Sequence, residues 1–585
     1  MKKWIAPFKH LSICAPLERL PSELLENIAN RLPRRTLNIL VRVCRSWNVA
    51  LTPVLYSSAD TLSPQQLDSL IKTLTSTATQ KQLGHLIRRL RVWDTLSDSQ
   101  LQSLTELCPN LVELCGTVCE TSNISPYLYA WKYLTATYLT VCLNTPQHFH
   151  TGFSKQLLTH LTLTTRGIST WIDLIREFVS LRSLCIEAKG EGDVNDHELD
   201  RISFGDLENL QNSLPKLECL AIYLLWVEGE IPLHLIPCHT VRNLIWVAEN
   251  PGQCIRYISL KYTNLEELYL AETSHLVYTK LTLAPLMKSC SNLKQLVICD
   301  NLKLYYLLLD MLASAGAPLT HITFIKCKED FVAKYLHHFK ETLTSVNLRD
   351  IDSLYTQSFL SNLHLYTSLT DLAVKCSLEL GINSILSSVK ALRNLFIQAR
   401  RIHLVENDRF TLSRHLKELV LIVDDMDDQI YPYLAHYHPS LTRFEISYSD
   451  TCNRPCFIYY PHPGLKVLAV NYENSCVFRV LQSHVAEKTT KLCWRLRSEA
   501  TRNVRWYYWN RLSKKSPPFQ RLEISQVQDI ADLREDDDKY SLSTEPDQVI
   551  IQQKMVFTAF GKPIVFVQCH FVDEMYLNGR DCSYA

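Results

Sequence analysis

Glycine is scarce, at 14 residues in a chain of 585, where ordinary usage is about 7%. Phosphate-cradling loops and nucleotide-binding turns need glycine wherever the backbone takes positive φ, so those classes start at a disadvantage. Net charge is nearly absent too: 61 Lys and Arg stand against 60 Asp and Glu. A chain-wide attraction to nucleic acid or to an anionic membrane is therefore not expected. Long apolar runs are lacking. The most apolar stretch, Leu304 to Ala315, carries Asp310 and is too short to span a bilayer. Lys9 and His10 interrupt the apolar part of MKKWIAPFKHLSIC, so a signal peptide is not expected. The 20 cysteines are scattered singly, which suits reduced, buried thiols in the cytoplasm or nucleus. No G-x-S-x-G, Walker-type loop, dinucleotide fingerprint or H-E-x-x-H occurs. No enzymatic activity, cofactor or metal is expected.

What the chain does hold is a repeat. Six-residue units with apolar residues at positions 1, 4 and 6 recur, among them Ile87-Leu90-Val92, Leu265-Leu268-Leu270, Leu369-Leu372-Val374 and Leu465-Leu468-Val470. The series starts at Ile87 and ends at Phe519-Leu522-Ile524, with weaker copies at Leu111, Leu134 and Thr489 and a mean interval of about 25 residues. Period and L-x-x-L-x-L core resemble the leucine-rich repeats. Each unit then forms a short strand with positions 4 and 6 turned inward. A helical segment returns the chain on the opposite face, and neighbouring units stack because none can bury its own apolar side. Asn or Cys at position 9 is found in a minority of units, such as Cys119, Asn301 and Cys327.

A different pattern precedes the repeat. Pro21 suits the first turn of a helix, and Leu24, Leu25, Ile28, Ala29 and Leu32 follow at helical spacing up to Pro33. Leu37, Leu40, Val41, Cys44 and Trp47 line one stripe of a second amphipathic stretch, with Arg42, Arg45 and Asn48 opposite. So small a module cannot bury all of this in its own core, and leftover apolar surface marks a partner site.

The run Leu20-Pro21-x-Glu23-Leu24-Leu25-x-x-Ile28, then Leu32-Pro33, Leu37-x-x-Leu40-x-x-Val43-Cys44-Arg45-x-Trp47 and Leu55-Tyr56 resembles an F-box. That resemblance implies docking on the Skp-type linker subunit of SCF (cullin–RING) ubiquitin ligases. Leu20, Pro21, Leu24, Ile28, Leu37, Leu40, Val43, Cys44 and Trp47 would lie at or just behind the interface. An F-box followed by leucine-rich repeats resembles a substrate receptor, which holds a target protein while other subunits transfer ubiquitin. The outward strand residues on the expected concave face then become target-binding candidates: Tyr223, Asn243, Glu267, Tyr269, Asn347, Arg349, Asp371, Lys375, Asn394 and Phe396. Both charge signs and several aromatics occur among them, which suits a protein target.

Other constellations have plainer readings. His436, His438, Cys452, Cys456 and His462 include a C-x-x-x-C spacing, but the repeat separates them by a strand, so ordinary turn residues are expected. Cys115 and Cys119 read as core fillers. Residues 491–515 mix eight basic side chains with Trp494, Trp506, Tyr507, Tyr508 and Trp509. They read as a long repeat with its aromatics buried, with an acidic peptide or RNA as alternative ligands. The widest interval, from Leu181 to Leu217, carries a polar insertion at 187–206.

The resulting expectation is an α/β chain in which a helical F-box precedes a leucine-rich-repeat solenoid, parallel strands on the concave face and helices on the convex one. Its parts are a tail (1–16), the F-box (17–62), a connecting helical segment (63–85), about eighteen repeats (86–527), an acidic loop (528–548) and a C-terminal cap (549–585). The cap includes Val549-Ile550-Ile551 and Pro563 to Val567. The alternative functions are a protein-interaction scaffold outside any ligase and an RNA-associated adaptor acting through 491–515.

Overall fold

The structure, a computed structural model, describes residues 22–29, 32, 34–61, 63–76, 83–119, 130–134, 136–142, 158–165, 167–188, 201–249, 251–271, 280–299, 303–326, 336–350, 359–405, 412, 414–449, 456–460, 464–472, 476–482, 504–509, 519–522, 558–559, 562–569, 572, 574–578 and 580–582. Its contacts divide the chain into two units, Met1–Asn292 and Leu293–Ala585.

Extended backbone satisfies its N–H and C=O groups only through a neighbouring strand, and each L-x-x-L-x-L segment finds that neighbour about 25 residues along. In the first unit the strands are β1 (Ser58–Thr61), β2 (Arg89–Leu96), β3 (Glu113–Cys119), β4 (Ala136–Cys142), β5 (His160–Thr165), β6 (Ser183–Ala188), β7 (Arg201–Ser203), β8 (Cys219–Glu228), β9 (Asn243–Glu249) and β10 (Glu267–Ala271). They stack in parallel from β1 to β6, then β8, β9 and β10. The short β7 pairs with the second half of β8. Inward residues coincide from rung to rung: Leu220, Leu244 and Leu268 are in register, and all are fully buried.

The second unit repeats the plan with β11 (Gln295–Cys299), β12 (His321–Ile325), β13 (Ser345–Arg349), β14 (Asp371–Lys375), β15 (Glu379–Gly381), β16 (Asn394–His403), β17 (Glu418–Met426), β18 (Arg443–Tyr448), β19 (Cys456–Tyr460), β20 (Val467–Tyr472), β21 (Cys476–Gln482), β22 (Val504–Trp509), β23 (Phe519–Arg521), β24 (Thr558–Ala559), β25 (Lys562–Cys569), β26 (Glu574–Leu577) and β27 (Arg580–Asp581). The parallel ladder runs β11–β12–β13–β14–β16–β17–β18–β20–β26. A threonine at position 2 reinforces it. Thr320, Thr344 and Thr442 each donate a side-chain hydrogen bond of 3.1–3.2 Å to a carbonyl one rung back.

Return segments close each rung from the other side. Ser97 caps Asp98–Leu107 in a reciprocal capping box with Gln100, and Ser203 caps Phe204–Asn212. Aromatic residues fill the space between returns and strands. Tyr257 of the helix Pro251–Lys261 meets Trp246 of β9 at 6.2 Å, and Tyr431 of Ile430–Tyr437 meets Phe444 of β18 at 6.3 Å.

Several expectations need correction. The ladder starts at β1, not at Ile87, because Ser-Ala-Asp-Thr pairs with β2 without any leucine; that strand lies inside the span expected of the F-box. The unit at Phe519 is no rung. Its residues form β23 in a separate mixed sheet with β19, β25, β21 and β22, where pairing to β22 is antiparallel. The segment Pro563 to Val567 is a strand, β25, but lies inside that second sheet. Residues 574–577 extend the last rung instead, setting buried Met575 and Leu577 beside Leu468 and Val470. Asn578 completes the join, its amide exchanging hydrogen bonds with both backbone groups of Tyr472. The Thr489 unit, the tail 1–16, the loop 528–548, Val549-Ile550-Ile551 and most of the 187–206 insertion lie outside the described residues.

Candidate functional site

Three helices build the N-terminal module: Ser22–Ala29, Arg34–Leu40 and Arg45–Tyr56. The first ends at Ala29, before Leu32, and the second amphipathic stretch is broken in two. Cys44 takes an extended conformation (φ −154°) and starts the third helix. Asn48, placed by its spacing on a solvated stripe, donates a 2.9 Å hydrogen bond to the Val41 carbonyl and so ties the third helix to the end of the second. Leu25, Ala29, Leu37, Val41 and Leu51 form the core, with Leu32, Leu40, Trp47, Ala50, Val54 and Leu55 packed against it.

That core leaves apolar side chains outside. Leu24 and Ile28 lie one helical turn apart and are each 49% exposed; Val43 is exposed as well. Of the other candidates, Leu40, Cys44 and Trp47 are half-buried, Leu37 is fully inside, and Leu20 and Pro21 lie outside the described residues. Ile39 and Val49 are exposed although their spacing did not single them out. Val49 and Pro53 line a groove of about 800 Å³ together with Arg45, Val54, His85, Leu86 and Arg88.

The strand face of the first unit carries four candidates. Asn243 of β9 and Glu267 of β10 are in register, and the asparagine amide donates to the carboxylate at 2.9 Å. Tyr269 stands opposite Ile245, which in turn faces Ala221. Tyr223 is in register with Glu187 and Val247, and burial pushes its hydroxyl pKa up. Cys115 also points outward here and is half-buried, so it is not a core filler; position 5 of a rung is an outward position. The cysteines that do fill the core behave as apolar groups: burial pushes Cys108 and Cys290 up to about 12.

The strand face of the second unit brings the remaining six together. Asn347, Ala373, Phe396 and Val420 form one row across β13, β14, β16 and β17; Ser345, Asp371, Asn394 and Glu418 form the row beside it. Alanine is the small member of its row, and a depression of about 280 Å³ opens there. Asp371 accepts hydrogen bonds from Asn394 and Thr370, both 2.5 Å. Arg349 and Lys375 pair in register at the ends of β13 and β14, where Lys375 binds Asp350 at 3.2 Å and Arg349 donates to Asn347 at 3.4 Å.

Among the described residues no group of His, Cys, Asp and Glu side chains is arranged to hold a metal ion. His436 lies in the helix Ile430–Tyr437, while His438 is fully buried at its end against Tyr433 and burial lowers its pKa to about 4. Cys456 lies on β19, and Cys452 and His462 are outside the described residues. Of the basic-aromatic segment 491–515, residues 504–509 are described: they form β22, which pairs antiparallel with β21, and Tyr507 is buried.

Residues 17–53 match the F-box domain family. No curated protein matches the chain significantly. Solved structures that resemble it include the TLR13–ssRNA13 complex (13% identity, TM-score 0.32, covering 67% of this chain and 57% of that one) and the mouse RP105/MD-1 complex (13% identity, TM-score 0.30, covering 67% and 61%). The chain thus spans less than two thirds of either neighbour. An F-box followed by stacked parallel rungs of leucine-rich-repeat type is the class of architecture this chain has.

Proposed function

We propose that the chain is the substrate-recognition subunit of an SCF-type ubiquitin ligase. Its F-box docks on a Skp-type linker, through it on a cullin–RING assembly, and its strand faces hold a target protein. The carrying observation is the F-box match at residues 17–53 together with Leu24, Ile28 and Val43, apolar side chains that the module's own core leaves uncovered. Uncovered apolar surface on so small a module is stabilised by a partner.

The contribution to chemistry is positional. Holding target and ubiquitin-carrying enzyme in one assembly turns an encounter into a near-intramolecular reaction, so this chain needs no catalytic residue and no cofactor. It acts in the cytoplasm or nucleus, where the ligase subunits are. Affinity purification from cells tests the reading: the linker and a cullin should co-purify with the full chain and be lost when residues 17–62 are deleted. Recovery of neither with the full chain would leave it an interaction scaffold.

A further inference from the structure

We propose that the depression on β13, β14, β16 and β17 is a peptide-binding subsite for an aliphatic side chain flanked by a lysine or arginine. The proposal rests on the receptor reading above and names the chemistry its second unit recognises.

Shape comes first. Across the row Asn347–Ala373–Phe396–Val420 the rungs stand about 4.8 Å apart, so the alanine leaves a gap one side chain wide between Asn347 and Phe396. Ala373 and Val420 give the gap an apolar floor, and the Phe396 ring supplies an apolar wall. All three side chains are half-buried by their neighbours, so an entering methyl group displaces water from surface that is already partly desolvated. These strands are interior to the ladder and their backbone groups are bonded to the adjacent rungs. A ligand is therefore recognised through side chains, not by adding a strand.

Charge sets the flank. The residues lining the depression include two carboxylates, Asp371 and Glu418, and no cation. Glu418 is met from the next rung by Arg443 at 2.9 Å. Asp371 is held in place by the neutral donors Asn394 and Thr370, and among the described residues it forms no ion pair. Lys375, on the same strand, is engaged with Asp350. A fixed carboxylate beside an apolar gap complements a ligand cation next to an aliphatic side chain, and it disfavours acidic or phosphorylated segments.

The test is selection of a random heptapeptide phage library on the purified full chain, followed by titration of the enriched peptides. Peptides with Val, Ile or Leu within two residues of Lys or Arg should emerge. Ala373→Trp, which fills the gap, should abolish their binding. The isosteric Asp371→Asn should weaken it about fivefold or more, and added salt should weaken it too. Thermal melts of both variants should match the parent, since each side chain lies on the outward row. No enrichment, acidic peptides, or unchanged binding to Ala373→Trp each overturn the subsite. Should Tyr269→Ala on the first unit remove peptide binding while Ala373→Trp does not, the subsite falls and the strand-face receptor stands. If neither variant alters capture of a cellular target that depends on the repeats, the strand-face reading itself falls.

Discussion

The ammonium of Lys261 lies 2.8 Å from the Glu208 carboxylate, and both side chains are buried. Between them they clasp both backbone groups of one residue, Ile236. Glu208 accepts the Ile236 N–H at 3.1 Å, and Lys261 donates to the Ile236 carbonyl at 2.8 Å. Asn212 bridges the pair, donating to Glu208 and accepting from Lys261. The segment so held projects Leu233, at 96% exposure, and Ile236 into solvent. A buried ion pair contributes little as a pair but is costly to break from one side. Lys261→Met should therefore cost about 3–5 kcal/mol and open residues 229–240 to protease, read by limited proteolysis with mass spectrometry. Burial alone would raise the Glu208 pKa; the hydrogen bonds from Lys261, Ile236 and Asn212 outweigh it and hold the carboxyl below its ordinary value of 4.5. A depressed carboxyl stabilises the fold above its unfolded pKa and loses that contribution as pH falls through the folded one, so this share of stability should fade below 4.5.

His438 should contribute a milder acid-dependent loss of stability, opposed over the same window by Asp428, whose carboxyl burial pushes up to about 6. Its folded pKa of about 4 lies below the ordinary 6.5 because burial penalises the imidazolium. The unfolded chain takes up a proton first, so stability is complete above 6.5 and declines as pH falls towards about 4. The full loss is about 3 kcal/mol. In His438→Phe, thermal melts should show a flatter dependence over that window; an unchanged slope would remove His438 as its source.

Surface and core positions of the F-box should separate cleanly. Ile28→Asp or Val43→Asp changes an exposed side chain and should leave stability within about 0.5 kcal/mol of the parent while weakening linker capture at least tenfold. Leu37→Asp places a charge in the module's core and should unfold the module outright. Linker binding that survives both exposed changes would move the docking surface elsewhere, with the groove at Val49 and Pro53 as the next place to mutate.

Two positions reveal how a glycine-poor chain spends its glycines. A Cβ on Gly84 would meet the Leu107 carbonyl oxygen at 2.0 Å, so Gly84→Ala should lower the melting temperature. Leu224 bears the opposite burden. It sits in the bulge of β8 at φ 57°, a conformation costing an L-residue about 1–2 kcal/mol. Leu224→Gly should relieve part of that and raise the melting temperature.

How much of this was legible in advance depended on the range of the interaction. Leu220, Leu244 and Leu268 announce the ladder because every rung repeats one local pattern with one local consequence. The F-box was legible for the same reason, its helical spacings being contained in a few turns. Ser58–Thr61 was not, since a leucine-free strand is recruited only by the edge that β2 offers. Asn48 is exposed as its spacing implied, but its hydrogen bond to Val41 depends on how the helices meet, and Phe519 read as a rung until β22 took it antiparallel. On the strand face, spacing nominated Asn347, Asp371, Asn394 and Phe396, but Ala373 drew no notice. A small residue becomes a site only when its neighbours on adjacent rungs are large.

By itself the sequence determined the period, the inward face of each rung and the helical module ahead of them, because apolar alternation and helical spacing act between residues a few positions apart. Tertiary structure alone decided where the ladder begins and ends, which return is clasped by a buried ion pair and where the strand face opens into a depression. Each of those depends on side chains that meet only after stacking, such as Asn578 and Tyr472, which lie 106 positions apart in the chain.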